Sequence, residues 1–182
     1  MIRVKVYDVG HQYPVNYSVN PSPLLWLTDE NEERVLVLTI GPAEAVAIKM
    51  KLSQDEDTFR RPMNHDRVRS LCESLDASID RIVITELREG QFYVAEIHAD
   101  TQGEHVVLDS RPSDAIALAL RAEAPIYVAE EVMVEHGQPM PKDAGATPES
   151  IIEDQLEKLG QESGEDVAGA DLVEVDESPL DT

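Results

Sequence analysis

An internal repeat constrains the fold of this chain more than any other feature of its sequence. Residues 41–51, GPAEAVAIKMK, align without a gap on residues 111–121, RPSDAIALALR. Proline, an acid, alanine, a branched aliphatic residue and alanine recur in the same order, and residues 36–38 align on residues 106–108 at the same offset. Because a repeat fixes the order of elements in both copies at once, it limits the topologies that the chain can adopt.

Each copy is predicted to contain three strands followed by one helix. Period-two alternation, as in Ile2–Val6, is typical of half-buried strands, and a proline opens the helix of each copy. With an insertion around residues 11–20, the first strand of one copy also aligns with that of the other. The predicted strands are 2–6, 24–27, 35–38, 82–87, 92–98, 105–109 and 126–128, and the three predicted helices begin at Gly41, Asn64 and Pro112.

These elements predict an α+β fold of two β-β-β-α units in one compact domain, related by a pseudo-twofold axis. The domain is expected to span residues 1–137, with halves at about 1–55 and 64–137. The helix between the halves has Asn64 as its predicted N-cap and carries one apolar face, formed by Val68, Leu71, Cys72 and Leu75. The helices of the two copies are rich in alanine and apolar nearly all round, which indicates burial between layers or against another subunit. A homo-oligomer is therefore expected.

The net charge of −22, from 37 acidic and 15 basic side chains, divides evenly between this domain and an acidic tail. Residues 138–182 carry 13 acidic and two basic side chains, begin with a proline-rich linker and include a possible short helix over 148–159. The tail is interpreted as a solvating appendage, or as a segment that docks a protein partner. An acid-rich, lysine-poor composition is typical of proteins from halophilic organisms, and also occurs in ordinary acidic bacterial proteins.

No apolar run is long enough to span a membrane, and no signal peptide is apparent, so a cytoplasmic protein is expected. One cysteine excludes an internal disulfide and a cysteine-rich metal site. The acidic balance also lacks the basic footprint that nucleic-acid binding proteins usually show.

Polar side chains are concentrated at the strand-to-helix turn of the second copy. Asp109, Ser110, Arg111, Ser113 and Asp114 place two carboxylates, two hydroxyls and a guanidinium around one turn. Backbone N–H groups at a helix start favour an anion, and an arginine can clamp a phosphate with two hydrogen bonds. The alternative is that Asp114, like Glu44 in the first copy, only stabilises the helix dipole.

A second group of candidates lies in the segment RPMNHD and at a strand end. His65 is a candidate general base or a ligand to Mn²⁺ or Zn²⁺, and its neighbour Asp66 is either part of that site or a helix-initiating residue. Glu86 ends a strand of the second copy and is the remaining acidic candidate.

Three blocks, RPMNHD, RIVITELREGQFYVAEI and DSRPSDAIALALRAEAPIYVAEEV, resemble the bifunctional nuclease family over about residues 1–135. The resemblance implies nuclease activity on RNA or DNA. The predicted site has His65, Asp66, Arg111 and Ser113 as catalytic residues, and Glu86, Asp109 and Asp114 as ligands to Mg²⁺ or Mn²⁺. In this hypothesis His65 activates water and Arg111 stabilises the charge developing on phosphorus.

Two other functions are compatible with the same residues. The chain would be a non-catalytic assembly or regulatory module if SRPSD and RPMNHD are only helix starts. It would be a phosphate or nucleotide sensor if the second turn binds an anion without hydrolysing it.

Overall fold

The computed structural model describes residues 1–11, 22–53, 61–89 and 92–140, with only the backbone at His11. These residues form eight strands and four helices. The strands are β1 (Ile2–His11), β2 (Pro23–Asp29), β3 (Arg34–Thr39), β4 (Ala77–Arg88), β5 (Phe92–Thr101), β6 (Glu104–Ser110), β7 (Ile126–Val128) and β8 (Gln138–Pro139). The helices are α1 (Pro42–Ser53), α2 (Asn64–Ser74), α3 (Pro112–Ala122) and α4 (Glu130–His136).

The strands form one sheet in the order β6-β5-β4-β7-β1-β2-β3-β8. The first three strands lie on one side of β7 and the next three on the other, and each set of three is followed by a helix, α1 or α3. β7 runs parallel to β4 and antiparallel to β1, so it joins the two sets. The predicted mixed α+β class is confirmed, whereas a duplication in descent stays a prediction.

Two short elements in the described residues are absent from the sequence prediction, which gave three helices instead of four. Helix α4 has only seven residues, and β8 has two, so neither is long enough to produce a clear hydrophobic period. Val132 and Met133 of α4 are buried in the core. β8 pairs with β3, and the N–H of Met140 donates to the carbonyl of Glu33, so ordered structure continues past residue 137.

The core lies between the helices and one face of the sheet. Residues 115–119 of α3 are all buried, and α3 packs against α1, α2, β4 and β5. Alanine side chains let these neighbours approach the α3 backbone closely, which explains why the helix has no polar face. Burial within the chain accounts for the apolar character of α3, so that character no longer argues for an oligomer.

Helix α2 differs from its prediction in two respects. Its N-cap is Met63 instead of Asn64, and the Asp66 carboxylate accepts a hydrogen bond from the Met63 N–H at 2.7 Å. The predicted apolar face is largely exposed: the exposed fractions are 44% at Val68, 59% at Leu71 and 60% at Leu75. α2 is held to the domain by polar contacts, as described below, in place of a buried apolar stripe.

The chain divides into two compact units, Met1–Ala144 and Gly145–Thr182. All described residues belong to the first unit. The predicted helix over 148–159 and the insertion predicted around residues 11–20 lie outside the described residues, apart from the His11 backbone. None of the helices in the described ranges is long and apolar enough to cross a membrane.

Candidate functional site

The two strand-to-helix turns line one cleft. A cavity of about 400 Å³ is lined by Thr39 to Gly41, which lead from β3 into α1, and by Arg111 to Ser113, which lead from β6 into α3. Residues at the start of β5 also line it. The repeat-equivalent turns, one from each half, are therefore adjacent. The N-termini of α1 and α3 carry partial positive charge and unpaired N–H groups, which favour an anion beside them.

Arg111 is the central cation of this cleft. Its Nε donates to Asp114 Oδ2 at 2.8 Å and its Nη2 donates to Glu44 Oε1 at 2.8 Å. The Arg111 side chain is 68% exposed, whereas that of Glu44 is 15% exposed. Hydrogen bonding and charge from Asp114, and then from Glu44, raise the pKa of Arg111 above its ordinary value. Two hydrogen bonds leave three of the five guanidinium N–H groups without a partner among the described residues.

Gly41 makes room for this ion pair. It occupies the position in the first repeat that Arg111 occupies in the second. A Cβ atom at Gly41 would lie 2.2 Å from Glu44 Oε2. The missing side chain therefore lets the Glu44 carboxylate fold back beside the α1 start and reach Arg111. Glu44 is a functional candidate that sequence reasoning treated mainly as a helix-dipole residue.

His65 approaches the same carboxylate from α2. Its Nε2 lies 3.3 Å from Asp114 Oδ1, and its side chain is only 16% exposed. Nδ1 is buried and has no hydrogen-bond partner among the described residues. Asp114 thus contacts Arg111 through one oxygen and His65 through the other, so these three predicted residues form one network with Glu44.

Asp66 contacts a buried arginine instead of the cleft. Arg121, 5% exposed, donates from Nε to Asp66 Oδ1, from Nη1 to the Ala117 carbonyl and from Nη2 to the Ala47 carbonyl. Partial burial raises the pKa of Asp66, but the hydrogen bonds from Arg121 and the Met63 N–H outweigh it and leave that pKa lowered. The Asp66–Arg121 pair therefore ties α2 to α1 and α3, next to His65.

Glu86 and Asp109 belong to a different environment. Glu86 Oε1 accepts a hydrogen bond from Arg88 Nη2 at 2.6 Å. The hydrogen bond and charge of Glu86 raise the pKa of Arg88, and the charge of Asp109 raises it to a smaller extent. Asp109 is the register partner of Glu96. The residues flanking Glu96, Ala95 and Ile97, are buried in the core beneath the helices, so alternation places Glu96 and Asp109 on the opposite face of the sheet.

The structure therefore separates the predicted metal ligands. Asp114 lies in the cleft, whereas Glu86 pairs with Arg88 and Asp109 lies on the face of the sheet opposite the helices. Within the described ranges, no group of three or more histidine, cysteine, aspartate or glutamate side chains is arranged to hold a metal ion. Ser113 is 7% exposed and lines the cleft at the start of α3.

A further polar cluster was not predicted. His98 and His105, on the neighbouring strands β5 and β6, have Nδ1 and Nε2 3.1 Å apart. Their other ring nitrogens contact Glu96 at 3.1 Å and Asp100 at 3.2 Å. Arg81 Nη2 also lies 3.1 Å from His98 Nδ1. Sequence spacing gave no signal for this pair because the contact depends on the β5–β6 register.

Residues 25–141 match the family model described as "Bifunctional nuclease domain". Two curated proteins of Mycobacterium tuberculosis are similar over most of their length: "Uncharacterized protein MT1877" of strain CDC 1551 / Oshkosh and "Uncharacterized protein Rv1829" of strain ATCC 25618 / H37Rv. Each is 34% identical to this chain over 160 residues, covering 87% of this chain and 91% of the relative. Neither relative's name states an activity.

Proposed function

The chain belongs to the bifunctional nuclease domain family, and we propose that it hydrolyses phosphodiester bonds of RNA or DNA at the cleft between the two turns. One observation carries this proposal. Arg111 is exposed in a cleft beside two helix starts, with three N–H groups free of partners among the described residues, and the His65–Asp114 pair lies next to it. A phosphate-binding cation and a proton acceptor are two of the components that phosphodiester hydrolysis uses.

Arg111 is proposed to bind the scissile phosphate. Glu44 and Asp114 fix the guanidinium from one side, so its free N–H groups are oriented before substrate arrives. Preorganised donors stabilise the charge that develops in a transition state more than mobile ones do. Removing one such donor typically lowers kcat by about 10²–10³.

The His65–Asp114 pair is proposed to accept the proton of the attacking water as the new P–O bond forms, and to return it to the leaving ester oxygen as the old P–O bond breaks. Asp114 is acceptor-only, so the 3.3 Å contact requires a proton on His65 Nε2. The remaining lone pair of the ring is then on the buried Nδ1, so the part of the pair that water in the cleft can reach is the Asp114 carboxylate, which is 35% exposed. We assign the proton-accepting role to the pair because its two side chains are in direct contact. Asp66 then acts by positioning α2.

A divalent ion remains part of the prediction, but these residues fit one poorly. Glu44 and Asp114 are the carboxylates nearest the proposed phosphate, and both already pair with Arg111. A metal at this point would have to displace the guanidinium. No step is therefore assigned to Mg²⁺ or Mn²⁺.

The test is a nuclease assay on single- and double-stranded RNA and DNA, with Mg²⁺, Mn²⁺ or EDTA, at low and molar salt. Asp114→Asn and His65→Gln are each expected to lower kcat by about 10²-fold or more. Glu86→Gln is the matched control, since it removes the charge of a predicted ligand outside the cleft. Full activity in Asp114→Asn together with loss in Glu86→Gln would refute the cleft assignment.

Phosphate or nucleotide binding without hydrolysis is the second candidate function. It is favoured by the three free N–H groups of Arg111, which bind an anion whether or not bond cleavage follows. Saturable binding of a nucleotide that is lost in Arg111→Gln, with no turnover under any of the conditions above, would select it.

A further inference from the structure

The two edges of the sheet differ in how their backbone groups are covered. At one edge, β8 covers the start of β3 through Arg34 and Val35, and Pro139 of β8 cannot donate a further ladder hydrogen bond. The other edge is β6, seven residues long, and no described strand pairs with its outer side. An uncovered edge strand of this length offers a row of unpaired N–H and C=O groups to another chain.

The side chains of β6 are apolar at its centre and exposed on both faces. Val107 is 47% exposed and Leu108 is 50% exposed, and they project to opposite faces of the sheet. Edge strands are commonly protected by lysine, proline or a bulge, and β6 contains none of these in Glu104–Ser110. Acidic residues and one histidine occur only towards its ends.

The sequence of β6 is complementary to itself in one antiparallel register. When Val107 of one copy faces Val107 of a second, His105 faces Asp109 of the second copy, and Asp109 faces its His105. On the other face of the sheet, Val106 and Leu108 face each other across the pair. Apolar cross-strand pairs, and pairs of an acid with a protonated histidine, stabilise an antiparallel sheet.

Neighbouring registers lose this complementarity. A two-residue shift in one direction places His105 opposite Val107 and Glu104 opposite Leu108, and a shift in the other direction places Val107 opposite Asp109. A one-residue shift turns every side chain of the partner strand to the other face of the sheet. Of these registers, only the one centred on Val107 places a histidine opposite an acid and keeps the apolar residues opposite one another.

We propose that β6 is a homodimer interface, in which a second copy of this chain adds its own β6 antiparallel about a twofold axis at Val107. The eight-stranded sheet then continues into that of the partner. Arg111 is four positions from Val107, so at about 3.4 Å per residue the two Arg111 turns lie roughly 27 Å apart along the shared strands. This inference is independent of catalysis.

A cysteine scan across the axis tests both the partner and the register. In a Cys72→Ser background, Val107→Cys places two thiols opposite each other, and the separation of about 4.5–5.5 Å between facing Cα atoms is compatible with a disulfide. Mild oxidation is expected to yield a covalent dimer on a non-reducing gel. Leu108→Cys is the matched control, because its diagonal separation of about 7–8 Å from its own copy is too long.

The mass in solution gives an independent readout. Light scattering on the full chain is expected to give twice the 20.2 kDa of one copy. Val107→Lys is expected to give a monomer, because it places two ammonium groups together at the axis. Leu71→Lys, on the exposed face of α2, is expected to leave the dimer intact. A monomeric wild-type chain, or a dimer that Leu71→Lys abolishes and Val107→Lys does not, would overturn the proposal.

Discussion

Replacing Arg121 with methionine is the sharpest test of how α2 is held in place. Arg121 is 5% exposed and joins three helices through Asp66 on α2, the Ala47 carbonyl on α1 and the Ala117 carbonyl on its own helix. Methionine fills a similar length without donating hydrogen bonds. Since α2 has no fully buried residue, few other contacts can compensate. We expect Arg121→Met to destabilise the domain and to displace His65 from Asp114.

The expected loss of stability depends on which hydrogen bonds each partner of Arg121 keeps. The carbonyls of Ala47 and Ala117 lie within helices and keep their helical hydrogen bonds, so the main loss is the pair with Asp66. Breaking a fully buried pair costs about 3–5 kcal/mol, whereas an exposed pair contributes about 0–1 kcal/mol. Asp66 is 40% exposed and keeps the Met63 N–H. An intermediate loss of about 2 kcal/mol in the free energy of unfolding is therefore expected.

Urea denaturation measures this loss. With a slope of about 2 kcal/mol per M for a domain of this size, the midpoint should fall by about 1 M. Arg69→Met is the matched control on the same helix, because Arg69 forms an exposed pair with Glu73 and its removal should cost about 0.5 kcal/mol or less. A double-mutant cycle with Asp66→Asn should show coupling. Additive effects of the two substitutions, or an unchanged midpoint in Arg121→Met, would refute the reasoning.

Two further predictions concern acid stability and the cleft. Because the pKa of Asp66 is lowered in the folded state from an ordinary value of 3.8, its contribution is present above about pH 4 and is lost as the pH falls through the lower folded pKa. Urea midpoints of the wild type should therefore decline more steeply than those of Asp66→Asn between pH 5 and pH 3, and parallel curves would contradict this. Gly41→Ala should displace the Glu44 carboxylate and weaken phosphate binding several-fold in a titration. The free energy of unfolding should fall by less than about 1 kcal/mol, because the flexible end of the Glu44 side chain can move. Gly103→Asn is the control, because no atom lies within 4 Å of the Cβ position at Gly103 and asparagine tolerates the positive φ there. Equal phosphate binding by both variants would argue against the role of Gly41.

The long elements of the fold were predictable because their signals are local. Proline at the start of α1 and of α3, and alternation along β1, report secondary structure within a few residues. The predicted boundaries were less accurate: β4 begins at Ala77, five residues before the predicted start at Ile82. The burial of β4 alternates from residue 77 onwards, whereas in the sequence only the apolar centre of the strand stands out.

The candidate site was predictable only where the repeat or a local motif concentrated polar residues. Asp114, Arg111 and His65 come together as the sequence suggested, although Asp114 and His65 are 49 positions apart. Glu86 and Asp109 were grouped with them because acidic side chains near a strand end resemble ligands in a linear sequence. Which face of a strand a side chain occupies depends on sheet register, and a bulge between Ile84 and Glu86 changes that register. Local sequence carries no clear signal for such a bulge.

The acidic character of the chain and a phosphate-binding cleft are compatible because both carboxylates of the cleft are already paired with a guanidinium, which offsets part of their charge. Glu44 and Asp114 would repel a phosphate if they were unpaired, yet each contacts Arg111, and Asp114 also contacts a histidine. At short range a phosphate would meet the exposed side of a guanidinium and two helix N-termini, while the remaining negative charge acts from longer distances. Salt screens such distant charges over about 8–10 Å at moderate ionic strength and over about 3 Å at 1 M. Repulsion of nucleic acid by the whole molecule should therefore weaken with salt more than its attraction to Arg111, which is the physical reason for expecting activity to persist at molar salt.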